Sequence, residues 1–139
     1  MPDPVFLDTN VVLDHLADRQ PFAENAHRIF ALGEMHQLEI HVSSLTFCNL
    51  HYVLRKLQGN ERALQLLGVL KQLVNITPVG KKEISSAMVS GFKDFEDAVQ
   101  SFSAMANPMV RVIITRNKGD YRLSHLSVQT PEEFLAESV

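Results

Sequence analysis

Three acidic segments carry the strongest chemical signal in this 139-residue chain. Asp8 closes the apolar run Val5-Phe6-Leu7, and apolar residues resume at Val11. A carboxylate buried between two apolar runs is costly unless something compensates it. The second segment is Asp94-Phe95-Glu96-Asp97-Ala98, and the third ends at Asp120 in TRNKGDY. On a helix Asp94 and Asp97, three residues apart, share a face, while Glu96 points elsewhere. Carboxylates from separate segments repel one another when they meet, so such a cluster calls for a cation. Oxygen-rich sites suit Mg²⁺ or Mn²⁺. A metal held this way can orient water and neutralise charge developing on a phosphoryl group.

Each acid also has an ordinary reading. Asp94 suits a helix N-cap, and Asp97 suits the first turn, where the helix dipole favours acids. Asp120 suits a turn after Gly119. Asp8 could cap a following helix, although Thr9 or Asn10 could do the same. Basic residues flank the acids. Arg116 and Lys118 share a loop with Asp120, Lys93 precedes Asp94, and Arg55 and Lys56 stand together farther up the chain. They read either as solvated surface charges or as grips for a phosphate backbone.

Other chemistries find less support. The six histidines form no i, i+4 pair, and the single Cys48 excludes a cysteine zinc site or an internal disulfide. Cys48 reads as a small core residue, with His51 the one conceivable base for it. No glycine-rich phosphate loop is present. An aspartyl-phosphate mechanism at Asp8 would call for a second Asp two residues on, where Asn10 stands.

These residues need a scaffold, and the hydrophobic pattern predicts one. Strands are expected at Val5–Asp8, Glu39–Ser43, Val74–Val79, Val110–Thr115 and Ser127–Thr130. Helices are expected at Asn10–Ala17, Phe22–His36, Thr46–Leu57, Glu61–Leu73, Lys81–Gly91, Asp94–Ala106 and Pro131–Glu137. Strand–helix alternation predicts a single α/β domain over residues 1–139, with a central, mostly parallel sheet of about five strands. Ligands of such sheets bind beyond the carboxyl ends of the strands, which places Asp8 and the TRNKGD loop on one rim. Hydrophobic residues make up 45% of the chain, sufficient for a core. The net charge is −3, so any surface for nucleic acid is local. The pattern predicts no signal peptide, no membrane span and a cytoplasmic setting.

Four segments in order, VFLDTNVVLD, LTFCNLHYVLRK, DFEDAVQSFSA and VIITRNKGDY, resemble the PIN-domain family, from Val5 to about Pro131. The family consists of small metal-dependent ribonucleases, many of them VapC-type toxins of bacterial toxin–antitoxin pairs. The resemblance implies a PIN-like three-layer α/β/α fold and places metal ligands at Asp8, Asp97 and Asp120. Asn117 is an alternative last position and Asp94 an auxiliary acid. The helix glutamate usual in the family falls on Asn49, which can still coordinate or position water but carries no charge; a branch with asparagine here is similar. The resemblance further implies cleavage of RNA that is single-stranded or in a loop, a homodimer and an antitoxin partner. Thr115, Arg116, Asn117 and Lys118 are the candidate substrate contacts. A catalytically weak RNA- or protein-binding module is the alternative that Asn49 raises.

Overall fold

A computed structural model describes residues 2–138. Five strands, β1 (Asp3–Leu7), β2 (Leu38–Ser43), β3 (Asn75–Thr77), β4 (Val112–Ile114) and β5 (Ser127–Gln129), pair in parallel in the order β3-β2-β1-β4-β5. The expected parallel sheet is therefore found. Seven helices accompany it among the described residues: α1 (Thr9–Leu16), α2 (Ala23–Glu34), α3 (Ser44–Gln58), α4 (Asn60–Leu73), α5 (Lys81–Met88), α6 (Phe95–Met105) and α7 (Pro131–Ser138).

The central strand shows why the sheet is covered on both sides. Val5, Phe6 and Leu7 are all buried, as the continuous apolar run requires. Side chains alternate between faces along a strand. Val5 and Leu7 join a cluster with residues of α1, α2, α3, α4 and α7. Phe6 joins a separate cluster with Ala104, Ile113 and Tyr121 on the opposite face. The result is the expected three-layer α/β/α arrangement.

Element ends follow local chemistry. Ser43 caps α3 by accepting from the Thr46 N–H at 3.3 Å. Thr130 and Glu133 close a reciprocal capping box on α7, whose first residue is Pro131. Gly59 turns the chain between α3 and α4 at φ +87°, a conformation suited to glycine. Several elements are shorter than their apolar runs predict. Helix α2 stops before His36, which takes φ +60°. Strand β3 stops at Thr77 because Pro78 has no N–H to donate. Helix α5 ends at Met88, and Gly91 beyond it has φ +80°.

Strand order sets the place of the site. From β1 the chain runs outward to β2 and β3, then returns to build β4 and β5 on the other side. The crevice between β1 and β4 is thus the point where the winding reverses, the usual ligand position in open parallel sheets. The Asp8 N–H donates to the Ile114 carbonyl at 3.0 Å, so Asp8 and Thr115 leave the paired strands side by side.

Candidate active site

Asp8 sits at that reversal point and is only 5% exposed. It caps α1, with the Thr9 N–H donating to Oδ1 at 2.8 Å. The Tyr121 hydroxyl and the Gln100 amide donate to the same oxygen at 3.1 and 3.4 Å. The Thr115 hydroxyl donates to Oδ2 at 2.8 Å. These donors favour the ionised form, yet burial outweighs them and raises the carboxyl above its ordinary range. Thr9 and Thr46 bond each other at 2.9 Å, and the Thr46 hydroxyl donates to Gln100 at 3.5 Å. Gln100 is therefore held between α1, α3 and α6.

The second segment meets Asp8 from the start of α6. Asp94 is the N-cap, accepting from the Asp97 N–H at 3.0 Å. It also lines a cavity of about 340 Å³ together with Asp97 and Asp120, so its capping role and its place in the cluster coexist. Burial, followed by the charges of Asp8, Asp94 and Asp120, raises Asp97 to about 7. Asp120 enters from a 3₁₀ turn, Lys118–Tyr121, that the sequence pattern presented only as a loop. Asp120 lines the cavity, whereas Asn117 lies outside the lining and donates its N–H to the Thr115 hydroxyl at 3.0 Å.

Glu96 stands off the cavity lining that holds Asp94 and Asp97, as helical spacing predicts. There α3 brings Asn49 beside it, and the Asn49 amide donates to Glu96 Oε1 at 2.9 Å. Burial and the charges of Asp94 and Asp8 raise its carboxyl, although Glu96 is exposed and does not line the cavity.

The basic candidates divide. Arg116 gives its guanidinium to Asp14, with Nε 2.8 Å from Oδ2, and lies over the Phe22 ring at 3.8 Å. Lys118 pairs with Glu133 at 3.1 Å. Neither reaches the acids. Lys93 and Arg122 do line the acidic cavity, and no side chain among the described residues pairs with either. Arg122 escaped the sequence reading, as did Tyr121 and Gln100. Gln100 carried a usable signal, since it stands three residues after Asp97 on one helix. Cys48 is exposed rather than a core residue, and His51 bonds Asn60 at 2.7 Å instead of facing the thiol.

The donor set is suited to a hard divalent ion. It is all oxygen, and its charges are uncompensated enough to hold Asp97 near neutrality in its titration. Among the described residues no three acid, histidine or cysteine side chains already stand in ligating geometry.

A family model described as the PIN domain matches residues 4–119. No match emerges among curated protein sequences. Solved structures resemble the fold at low identity. One is VapBC2 from Rickettsia felis bound to a DNA fragment from its promoter, at TM-score 0.70 and 15% identity, covering 91% of this chain and 98% of that one. VapBC-1 from nontypeable Haemophilus influenzae aligns at TM-score 0.68 and 19% identity, covering 93% and 98%. Mycobacterium tuberculosis VapC20, a toxin that cleaves the sarcin–ricin loop, aligns at 0.61 and 17%, covering 78% and 86%. With a five-stranded parallel sheet, and a family model matching residues 4–119, the chain belongs to the PIN-domain family.

Proposed function

We propose that this protein is a divalent-metal-dependent endoribonuclease and the toxin of a toxin–antitoxin pair. The observation that carries the reading is the cavity shared by Asp94, Asp97 and Asp120, close enough to Asp8 for its charge to act on Asp97, in a chain of the PIN-domain family. Asp8, Asp97 and Asp120 would hold Mg²⁺ or Mn²⁺. When bound, such an ion supplies an activated water and neutralises charge developing on the scissile phosphate. Thr115, Tyr121 and Gln100 keep the Asp8 carboxylate in one orientation. Lys93 and Arg122 at the cavity edge would hold the flanking backbone of single-stranded RNA, which can be threaded across the rim.

Resemblance to VapBC complexes supports an antitoxin that covers this groove, and a homodimeric toxin. Growth arrest on induction, relieved by a neighbouring small gene, tests the pairing. The nuclease reading is tested with purified protein, a single-stranded RNA and Mn²⁺. The parent cleaves, chelation stops it, and Asp8→Asn abolishes metal-dependent cleavage. Cleavage by the variant at the parental rate would refute the site.

One observation favours a second reading. Asn49 contributes no charge and spends its amide on Glu96. A binding module with little catalytic power would follow if calorimetry detected no Mn²⁺ or Mg²⁺ uptake at millimolar concentrations while RNA still bound.

A further inference from the structure

We propose that a second cavity on the same rim binds an unpaired guanine of the RNA, a base that flanks the scissile bond. The inference rests on the nuclease reading above and names what that site selects. The cavity encloses about 270 Å³, and Asp14, Phe22, Asn25, Arg116, Thr130 and Glu132 are among its walls. Its place follows from the sheet. Arg116 and Thr130 come just after β4 and β5, so this cavity lies at the carboxyl ends of the strands, as the acidic one does. Helices α1, α2 and α7 cover one face of the sheet, and Tyr121 of the 3₁₀ turn packs on the other. One loop spans both cavities: Arg116 lines this one, and Gly119 and Asp120 line the acidic one. Thr115, where that loop begins, holds Asp8. A strand laid across the rim at Asp8 therefore leads from one cavity to the other.

The walls suit a flat, uncharged group. Arg116 donates to Asp14 through Nε at 2.8 Å and Nη2 at 3.3 Å, which fixes the plane of its guanidinium. The guanidinium carbon lies 3.8 Å from the centre of the Phe22 ring. Ring and guanidinium form a ready stack, and splayed RNA bases stack on planes of both kinds. The Phe22 ring is 41% exposed, and a stacked base would take that apolar surface out of water. Charge argues against a phosphate here. Arg116 and Arg19 both bind Asp14, and Glu132 matches the second of these cations, so no surplus positive charge is left. The polar groups name the base. Arg116 Nη1 takes part in no hydrogen bond among the described residues, and neither do the side chains of Asn25 and Glu132. The cavity thus offers N–H donors together with an unpaired carboxylate acceptor. Guanine presents the complement, with acceptors at O6 and N7 and donors at N1 and N2. Adenine carries an amino group where guanine has O6, so it would set one donor against another.

The test is fluorescence anisotropy with short single-stranded RNA, in chelator so that no strand is cut. Two RNAs are compared, one containing guanine and one with adenine in its place. The full-length parent should bind the guanine RNA about fivefold more tightly or better. Phe22→Leu removes an aromatic face from an exposed position. It should weaken binding of the guanine RNA by about fivefold or more. The slope of its log affinity against log salt should match the parent's, because stacking releases no counterions. Phe22→Tyr, which keeps the ring, should bind like the parent. Glu132→Ala should narrow the preference for guanine over adenine. Equal affinity of the parent for the two RNAs refutes the guanine site, whatever the variants do. Unchanged RNA binding by Phe22→Leu, with capture of the antitoxin lost, would give the cavity to a protein partner and refute the RNA site as well. The nuclease reading is judged separately, by Mn²⁺-dependent cleavage and its loss in Asp8→Asn. It stands if cleavage persists while the parent ignores guanine, and it falls alone if guanine RNA is selected but never cut.

Discussion

At the residue scale the organising fact is a carboxylate with too little water. Asp8 is compensated in part by three side-chain donors, and Tyr121 is a fully buried one of them. Removing its hydroxyl while keeping the ring isolates that bond. Tyr121→Phe should lower unfolding free energy by about 2 kcal/mol, the scale of a hydrogen bond to a charged group. Urea unfolding measures it; an unchanged midpoint would show that the hydroxyl does not support Asp8. Asp97 yields a prediction in pH. Its carboxyl titrates near 3.8 in an unfolded chain and about 7 in the fold. The folded protein therefore binds that proton more tightly. The stability it contributes is full below 3.8 and disappears as pH rises through about 7. In chelator the thermal midpoint should be higher at about pH 6 than at about pH 8. Mn²⁺ should shrink the difference, because the cation then matches the charge. His15 acts in the opposite sense: burial and His27 lower it from 6.5 to about 4, so near pH 6 the unfolded chain takes up a proton that the fold does not. The Asp97 effect is therefore read as the difference between the parent and Asp97→Asn, and a difference that rises with pH in chelator would contradict the arrangement.

At the element scale, the site depends on how firmly the β4 exit is fastened. Thr115 reaches Asp8, while its neighbour Arg116 is anchored on Asp14 of α1, which Arg19 also grips at 2.9 Å. Asp14 is 1% exposed. Asp14→Ala would leave two guanidinium groups without their buried partner and should cost about 3 kcal/mol or more. A loss below about 1 kcal/mol by denaturant titration would mean that the arginines find water instead. Elements were also the level at which sequence was most informative. The strand Val5-Phe6-Leu7 and the Asp94 cap were legible, because a continuous apolar run and a capping residue are local signals. The 3₁₀ turn that carries Asp120 and Tyr121 has no periodicity to detect. The contact of Asn49 with Glu96 was hidden for a related reason: one helix's geometry cannot foresee a side chain on its neighbour. Arg116 and Lys118 looked available because ion pairs with Asp14 and Glu133 join distant segments.

At the scale of the whole molecule, the net charge of −3 opposes RNA binding, so affinity must come from few cations. Lys93 and Arg122 are unpaired and flank the acids. If they grip the backbone, replacing each with Ala should reduce the slope of log affinity against log salt by about 0.7, the value for one phosphate contact on a single strand. Fluorescence anisotropy over a salt series would read it. An unchanged slope in the double variant would place the RNA path elsewhere. Among the described residues no helix is long and apolar enough to cross a membrane.

The partners of Asp8 are spread along the chain. Gln100, Thr115 and Tyr121 lie 92, 107 and 113 residues beyond it. During synthesis Asp8 therefore emerges long before the side chains that hold it. Until the 3₁₀ turn leaves the ribosome, the first strand ends in a carboxylate that has every reason to stay in water. That one turn supplies both Tyr121, the last donor to Asp8, and Asp120. The set of side chains around the junction is thus complete only once the chain has been made through residue 121.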